Sequence, residues 1–432
     1  MKYIVDIAYL FGILAYSPRI LYRMCRQDRY KEGWDQRLGK IYRKNPDKSC
    51  IWIHAVSVGE VNATRTLVSK LKEQFPDFDI LITSTTDTGL ARAKALYEKD
   101  LNVSYFPFDI SWVMKRAFVN IKPAIILLME LEIWPNMAQI CQEKKIPLVV
   151  VNGRLSDKSY PRYRKIRPIT KWMFSKATSI LAQTEEYARR FIDLGCPADR
   201  VQVTSSLKYD TAQTEGPVPG AERLQEQIAL GDNRLLVAGG TGPGEEQILL
   251  DVFRELKKQT KFEDLTLAIV PRKPERFDEV AQLIENTGIK FIRYSQLKES
   301  DSVTDQKPTI FLGDTMGDLK KFYAIATVVF VGRSLVKMGG SDMMEPTGLG
   351  KCTLFGPFTF NFKQTVDVLL KGQGAIEVQN QNELLEKSSK CLIDHDFADT
   401  IAQNGRNVIQ ENKGATQKTI EIVKSILHTG KL

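Results

Sequence analysis

Three residues of this chain have the types and placement that proton transfer and charge neutralisation require: Glu60, Glu130 and Lys208. Glu60 ends the turn Ser57-Val58-Gly59-Glu60, directly after the apolar run Ile51-Trp52-Ile53-His54-Ala55-Val56. Glu130 heads Glu130-Leu131-Glu132-Ile133-Trp134-Pro135-Asn136, directly after the apolar run Ala124–Met129. One carboxylate at a helix start has a plain structural use, because it complements the helix dipole. Two of them at two strand ends can divide a reaction. One takes the proton of an attacking hydroxyl, and the other orients it or stabilises charge. Lys208, in Ser205-Ser206-Leu207-Lys208-Tyr209-Asp210, is placed to meet a phosphate on a leaving group. A solvated surface lysine is its plain alternative.

A second set of motifs points to an anionic ligand. Gly239-Gly240-Thr241-Gly242-Pro243-Gly244-Glu245-Glu246 lies between a strand pattern and a helix pattern, the context for phosphate on backbone amides or for a tight turn. It lacks the Lys-Ser/Thr of a P-loop and the spacing of a dinucleotide fingerprint. Pro271-Arg272-Lys273, Gly313-Asp314-Thr315-Met316-Gly317-Asp318, Gly332-Arg333 and Gly339-Gly340-Ser341-Asp342-Met343-Met344-Glu345-Pro346 each follow a further strand pattern. Arginine suits bidentate phosphate contact. An acid such as Glu345 can accept both hydroxyls of a ribose. Loops of this kind at one sheet edge predict a nucleotide site.

The elements that must position these residues alternate regularly. Short β-branched runs (51–55, 80–85, 103–106, 124–129, 148–152, 179–183, 201–204) are separated by helical spacing such as Thr88–Lys99 and Pro135–Lys144. That alternation predicts a parallel sheet covered on both faces. A second series runs over 234–238, 266–270, 290–294, 309–312, 327–331 and 352–355. The expected organisation is an anchor over 1–22, a first domain over 23–209, a linker over 210–232, a second domain over 233–405, and a terminal helix over 406–432 that crosses back to the first domain.

Composition agrees with a globular α/β chain: 432 residues, 43% hydrophobic and 26% charged. The six cysteines are scattered singly, which supports neither a zinc site nor a disulfide framework. Only three histidines are present, so mechanisms built on a histidine cluster are nearly excluded. The net charge of +9 calls for an anionic partner. Tyr3–Tyr22 is mostly apolar, but its clean core, Ile7–Tyr16, is short against the about 20 residues of a span. The basic tract Arg19, Arg23, Arg26, Arg29, Lys31, Arg37, Lys40, Arg43 and Lys44 follows it. A cleaved signal peptide has the opposite order. The order here fits an uncleaved anchor, spanning or lying in the interface, with the body on the cytoplasmic side of an anionic membrane. That tract also accounts for much of the net charge, leaving no separate case for nucleic acid.

Taken together, these motifs resemble the 3-deoxy-D-manno-octulosonic acid (Kdo) transferases of lipopolysaccharide assembly. The matching pieces run in order from Trp34-Asp35-Gln36-Arg37-Leu38-Gly39 through His54–Glu60, Glu130–Asn136, Asn152-Gly153-Arg154-Leu155-Ser156, Pro271-Arg272, Met316-Gly317-Asp318 and Gly339-Gly340 to Asn361-Phe362. The resemblance implies a GT-B glycosyltransferase, with two doubly wound Rossmann-like domains facing a central cleft and an N-terminal anchor helix. It implies transfer of Kdo from CMP-Kdo to a lipid A precursor, lipid IVA, at the inner membrane, with no metal and no cofactor. Glu60 then matches the general base, and Glu130 and Lys208 match the transition-state stabilisers. Pro271, Arg272, Met316, Gly317, Asp318, Asp342, Met343, Met344 and Glu345 match the CMP site. The chain departs from the family at Ser341-Asp342 (usually His-Asn), Lys273 (usually His), Asp318 (usually Glu) and Arg333 (commonly Gly). The rival within the same fold is a transferase or epimerase that uses another nucleotide sugar.

Overall fold

Every strand among the described residues pairs in parallel, and the reason lies in the connections. In the computed structural model, which describes residues 32–300 and 309–429 with Asp6, Ile7 and Tyr9, each strand is followed by a helix that carries the chain back over the sheet. The chain divides into a unit of Met1–Thr211 with Lys413–Leu432 and a unit of Ala212–Asn412.

The first unit holds β1 (Cys50–His54), β2 (Asp79–Ser84), β3 (Asn102–Tyr105), β4 (Pro123–Met129), β5 (Leu148–Gly153), β6 (Ser179–Ala182) and β7 (Val201–Val203). Their order is β3-β2-β1-β4-β5-β6-β7. The chain therefore reverses its direction of winding between β1 and β4, the place where open α/β sheets leave a crevice beyond their carboxyl ends. Both faces are packed, so the strands read as continuous apolar runs. Trp52, Ile126 and Val150 face one side with Phe174 and Phe191. Ile51, Ile53, Leu127 and Val149 face the other with Leu67 and Leu71.

The second unit holds β8 (Leu235–Thr241), β9 (Thr266–Pro271), β10 (Phe291–Arg293), β11 (Ile310–Leu312), β12 (Val328–Val331), β13 (Cys352–Phe355) and β14 (Ile376–Glu377). Their order is β10-β11-β9-β8-β12-β13-β14, with its own reversal between β8 and β12.

Several expectations from sequence need revision. The segment 210–232, expected as a linker, contains the boundary between the two units, after Thr211, but it also holds a helix, Ala221–Gln227, whose Ala221 and Leu224 are buried. Its polar, Pro- and Gly-containing look comes from the turns around that helix. The tail is two helices, His395–Glu411 and Ala415–Thr429, broken at Gly414 with φ of 101°. The last one packs on helix Arg65–Gln74 of the first unit and buries Ala415, Ile420 and Val423 there. The Asp210 carboxylate fixes its start, accepting from the Gly414 amide at 2.7 Å and the Thr416 amide at 2.5 Å.

The basic tract also divides. Arg37 is 3% exposed, stacked on the Tyr105 ring and bonded to Asp87, while Arg43 is held inside against Asp79 at 3.2 Å. These two arginines serve the core rather than a membrane flank. The expected anchor over 1–22 lies outside the described residues except for Asp6, Ile7 and Tyr9. Among the described residues no helix is long and apolar enough to cross a membrane.

Arg43 also donates to the carbonyls of Pro46 at 2.7 Å and Lys48 at 2.9 Å, so removing Asp79 leaves a buried cation with no counter-charge. Asp79→Ala is expected to lower stability by about 3–5 kcal/mol in equilibrium urea unfolding. A loss below about 1 kcal/mol, the level of an exposed pair, would contradict the burial of this pair.

Candidate active site

Glu60 reaches its position through hydrogen bonds made by its neighbours. Ser57 caps helix Val58–Ala63, its hydroxyl accepting from the Glu60 amide at 3.3 Å. The carboxylate turns back over the cap. Its Oε1 accepts from Ser57 Oγ at 2.8 Å and its Oε2 from the Val56 amide at 2.9 Å. This is a variant of the capping box. The loop itself is pinned from β2, because the Val56 carbonyl accepts from Thr86 Oγ1 at 2.6 Å and Ser84 Oγ at 3.0 Å. Gly89 is forced there: a Cβ would lie 2.6 Å from that carbonyl. His54, just before the loop, is fully buried and stacked on Phe106 at 3.9 Å. Burial lowers its pKa to about 3, so it is a neutral part of the scaffold.

Glu130 arrives from the other side of the winding reversal. It follows β4, which pairs with β1, and it adopts φ of 57°, the left-handed region that non-glycine residues rarely occupy. Its amide donates to the Val151 carbonyl at 3.0 Å. The next residue on β5, Asn152, also has φ of 57°. Asn152 Oδ1 accepts from the Leu207 amide at 3.1 Å and Ser206 Oγ at 3.2 Å. That side chain fixes the start of helix Leu207–Thr211, which carries Lys208. Lys208 is half-buried and has no described carboxylate within ion-pair distance. Backbone strain at Glu130, Asn152 and Ser205 (φ of 72°) thus collects at one group of strand ends, as it does at functional sites.

The carboxylates act on one another. Burial holds the Glu60 carboxyl above its usual range; the Val56 amide works against that and the Glu130 charge adds to it. Glu132 is pushed up to about 7, first by burial and then by the charge of Glu60. Glu132 is a member of this cluster that sequence reading did not select. The signal was present, since the Glu-Leu-Glu spacing carries two acids into one loop, but only the first was taken.

The second unit gathers its own loops at the carboxyl ends of its strands. The Arg272 amide donates to the Thr241 carbonyl at 3.1 Å, joining the loops after β8 and β9. Ser341 Oγ donates to the Gly240 carbonyl at 2.7 Å, and the Ser341 amide to the Gly332 carbonyl at 2.9 Å, joining the loops after β8 and β12. Gly332 has no room for a side chain, because a Cβ would lie 2.5 Å from Thr241 Cα. Arg333, at a position where the resemblance leads one to expect glycine, has φ of 59°.

Arg272 is exposed, and Arg272, Asp342 and Glu345 all act on the phenol of Tyr323, a fully buried residue beneath Gly239. Burial raises that phenol well above 10, the two acids add to it and Arg272 opposes it. Tyr323 Oη has no hydrogen-bond partner among the described residues. No motif in the sequence points to it.

Other expected site residues have different roles. Pro271 is buried at the end of β9. Met343 and Met344 are buried, 0% and 3% exposed, so only their backbone is available to a ligand. Asp342 accepts from the Met344 amide at 2.9 Å at the start of helix Met344–Gly348. The Asp318 carboxylate is held by Lys321 at 2.7 Å, Lys298 at 3.1 Å and Thr315 at 2.6 Å, which fixes the loop rather than leaving an acid for a ligand. Met316 is exposed beside Gly317, whose φ is 92°. The amides of Gly242, Ser334 and Leu335 converge at 3.0, 2.7 and 2.9 Å on Glu245, joined by that of Arg333. The glycine-rich segment therefore cradles its own carboxylate, not a phosphate.

Residues 32–211 match a protein family described as 3-deoxy-D-manno-octulosonic-acid transferase. A 3-deoxy-D-manno-octulosonic acid transferase of Haemophilus influenzae is 33% identical over 91% of this chain and 92% of its own. One from Bordetella pertussis is 27% identical over 97% of this chain and 99% of its own. In fold alone, a glycosyltransferase of Rickettsia africae aligns over 88% of this chain and 99% of its own, at 15% identity and a TM-score of 0.56.

The raised Glu132 carboxyl has a consequence for stability. Its ordinary pKa is 4.5 and its folded value about 7, so the folded chain holds that proton more tightly than the unfolded chain. The contribution is fully present below pH 4.5 and lost as pH rises to 7. Glu132→Gln, which cannot ionise, is expected to gain about 1–3 kcal/mol on wild type between those limits. Urea unfolding across that range checks it, and a gain independent of pH would contradict the assignment.

Proposed function

The chain belongs to the 3-deoxy-D-manno-octulosonic acid transferase family, a family of glycosyltransferases that act in lipopolysaccharide synthesis, and we propose that it moves Kdo from CMP-Kdo to the lipid A precursor lipid IVA with Glu60 as general base. The observation that carries this reading is the carboxylate cluster at the winding reversal of the first unit, where Glu60 is buried beside Glu130 and its pKa is raised. A base of raised pKa is a stronger proton acceptor near neutrality than an ordinary glutamate.

The step is a single displacement. An acceptor hydroxyl gives its proton to a Glu60 oxygen as its own oxygen bonds to the anomeric carbon of Kdo. The bond from that carbon to the CMP phosphate breaks on the opposite face, and CMP leaves with the electron pair. One base is enough, no covalent intermediate forms, and the anomeric centre inverts. In this reading Lys208 neutralises charge that builds on the phosphate, and Glu130 stabilises charge that builds on the sugar. The second unit holds CMP. Arg272 faces the phosphate, Glu345 the ribose hydroxyls, and Met316 with Gly317 the base. Pro271 and Asp318 fix the loops around it, and Asp342, Met343 and Met344 contribute the backbone at the helix start.

The acceptor is a lipid, so the protein works at the cytoplasmic face of the inner membrane, carried there by its N-terminal segment. Three contacts of that segment support this. Tyr9 donates to Asp109 at 3.2 Å, and Asp6 accepts from the Ser111 amide at 3.0 Å and Asn136 Nδ2 at 3.1 Å. Asn136 lies in the first turn of helix Pro135–Lys144, which follows the Glu130 loop, so the membrane-directed segment is tied beside the loop proposed to carry a catalytic acid.

The test is Kdo transfer from CMP-Kdo made in situ to a tetraacylated lipid A precursor, read by product mass. Glu60→Gln is expected to lower the rate by about 10²–10⁴-fold, the range for loss of a general base, with CMP retained at wild-type affinity. Retention of CMP but not UDP separates a CMP-sugar donor from the rival nucleotide sugars. A Glu60→Gln enzyme within a few-fold of wild type would remove Glu60 from the reaction.

A further inference from the structure

The N-terminal segment is not the only part of the first unit suited to a membrane. Between Asp157 and Glu185 the chain carries no acidic residue. That stretch contains helices Tyr160–Lys165 and Arg167–Phe174, which follow β5. Their inner side is apolar and packed: Tyr160, Tyr163 and Met173 lie against the core and Phe174 is part of it. Their outer side presents Arg162, Lys165, Arg167 and Lys171, all exposed. Ile166 and Ile169, 46% and 53% exposed, lie among those cations.

Burial and charge pairing do not explain this outer side. Isoleucine is among the residues most often buried, and two of them exposed within one turn of a basic cluster are unusual. The nearby acids are already engaged. Asp193 accepts from Tyr160 Oη at 2.8 Å and lies 3.8 Å from Arg164 Nε, and Asp157 is held by Arg190 at 2.5 Å. Arg162, Lys165 and Lys171 have no ion pair among the described residues. Lysines and arginines around projecting apolar side chains form the pattern of a surface that rests in the headgroup layer of a bilayer. The placement fits the same partner. The helix pair leaves the sheet at its carboxyl edge, where Ser111 and Asn136 hold Asp6, and Tyr163 lies close enough to Glu132 to feel its charge.

We propose that helices Tyr160–Lys165 and Arg167–Phe174 form a second membrane contact, laying Arg162, Lys165, Arg167 and Lys171 on anionic headgroups with Ile166 and Ile169 inserted among them. The contact sets the carboxyl edge of the first unit against the bilayer, where a lipid acceptor presents its hydroxyl. It rests on the lipid acceptor of the proposed function for its purpose, but not for its existence. The bilayer surface, not a dispersed lipid, is the occupant, because the cations are spread along two helices rather than gathered in a pocket.

The test is partition of the full chain onto phosphatidylcholine vesicles with and without phosphatidylglycerol, which needs no turnover. Each basic residue at an anionic surface contributes about fivefold. Replacing Arg162, Lys165, Arg167 and Lys171 by Gln is therefore expected to lower binding to the anionic vesicles by about several hundredfold, with CMP retention and thermal unfolding unchanged. Ile166→Ser with Ile169→Ser is expected to weaken binding to both vesicle types. If the fourfold variant does not fold, Arg162→Gln with Lys165→Gln is measured in its place, for about a tenfold or larger loss.

A control replaces Lys258, Lys261, Lys290 and Lys371 of the second unit by Gln, removing the same charge elsewhere. Binding at the wild-type level in the helix variant, or an equal loss in the control, overturns the proposal. So does wild-type chain that binds short-chain phosphatidylglycerol below its micelle concentration but not the vesicles. Wild-type chain that binds the anionic vesicles as expected but transfers no Kdo would count against the catalytic reading alone.

Discussion

The parallel pairing of β1 with β4 is the constraint on which the first unit depends. His54 pairs with Leu128 in the register of these strands, so both end together and their following turns rise from one place. Because the winding reverses there, the helices after β1 and β4 leave to opposite faces and the crevice between them stays open. Glu60 and Glu130 are the residues that the two turns deliver. Neither could be moved by one residue without losing its environment. Glu60 needs the Ser57 cap and the Val56 amide, and Glu130 needs the left-handed φ that turns its carboxylate out of the strand direction. The strain at Glu130, Asn152 and Ser205 is tolerated because neighbouring strands over-determine it: Glu130 is bonded to Val151, and Asn152 to Ser206 and Leu207.

This explains what the sequence could and could not reveal. The β-branched runs gave the strands and their alternation with helices gave parallel sheets, since both rest on local patterning. Glu60 and Glu130 were legible because each lies in the turn that follows such a run. Glu132 was not separable from Glu130 by type or spacing; only burial and the charge of Glu60 distinguish it, and both are tertiary. Tyr323 lies on a helix of unremarkable composition and joins the carboxyl edge of the second sheet only when that helix packs beneath Gly239. The basic tract was misread in part for the same reason. Arg37 and Arg43 have the composition of a flank, but Asp87 and Asp79, on other elements, draw them inside. The helix Ala221–Gln227 inside the expected linker was hidden on local grounds, because it is short and flanked by Pro and Gly.

Glu60 and Glu245 together show why a carboxylate at a helix start cannot be judged by position alone. Both follow a first strand, both lie in the first turn of a helix and both are buried, with burial the largest influence raising each pKa. Their partners differ. Glu245 accepts from four backbone amides on two loops, so its charge is matched on every side and its work is to lock the turn after β12 to the turn after β8. Glu60 accepts from one amide and one hydroxyl, and what it meets beyond them is another carboxylate. A lock would gain nothing from a neighbouring negative charge, which raises the free energy of the ionised form without adding a bond. An acid–base group gains from it, because the same repulsion makes the carboxylate a better proton acceptor near neutral pH. The hydrogen-bond count and the sign of the nearest charge thus separate the two glutamates, and they are the reason Glu60 rather than Glu245 is the one proposed as the base.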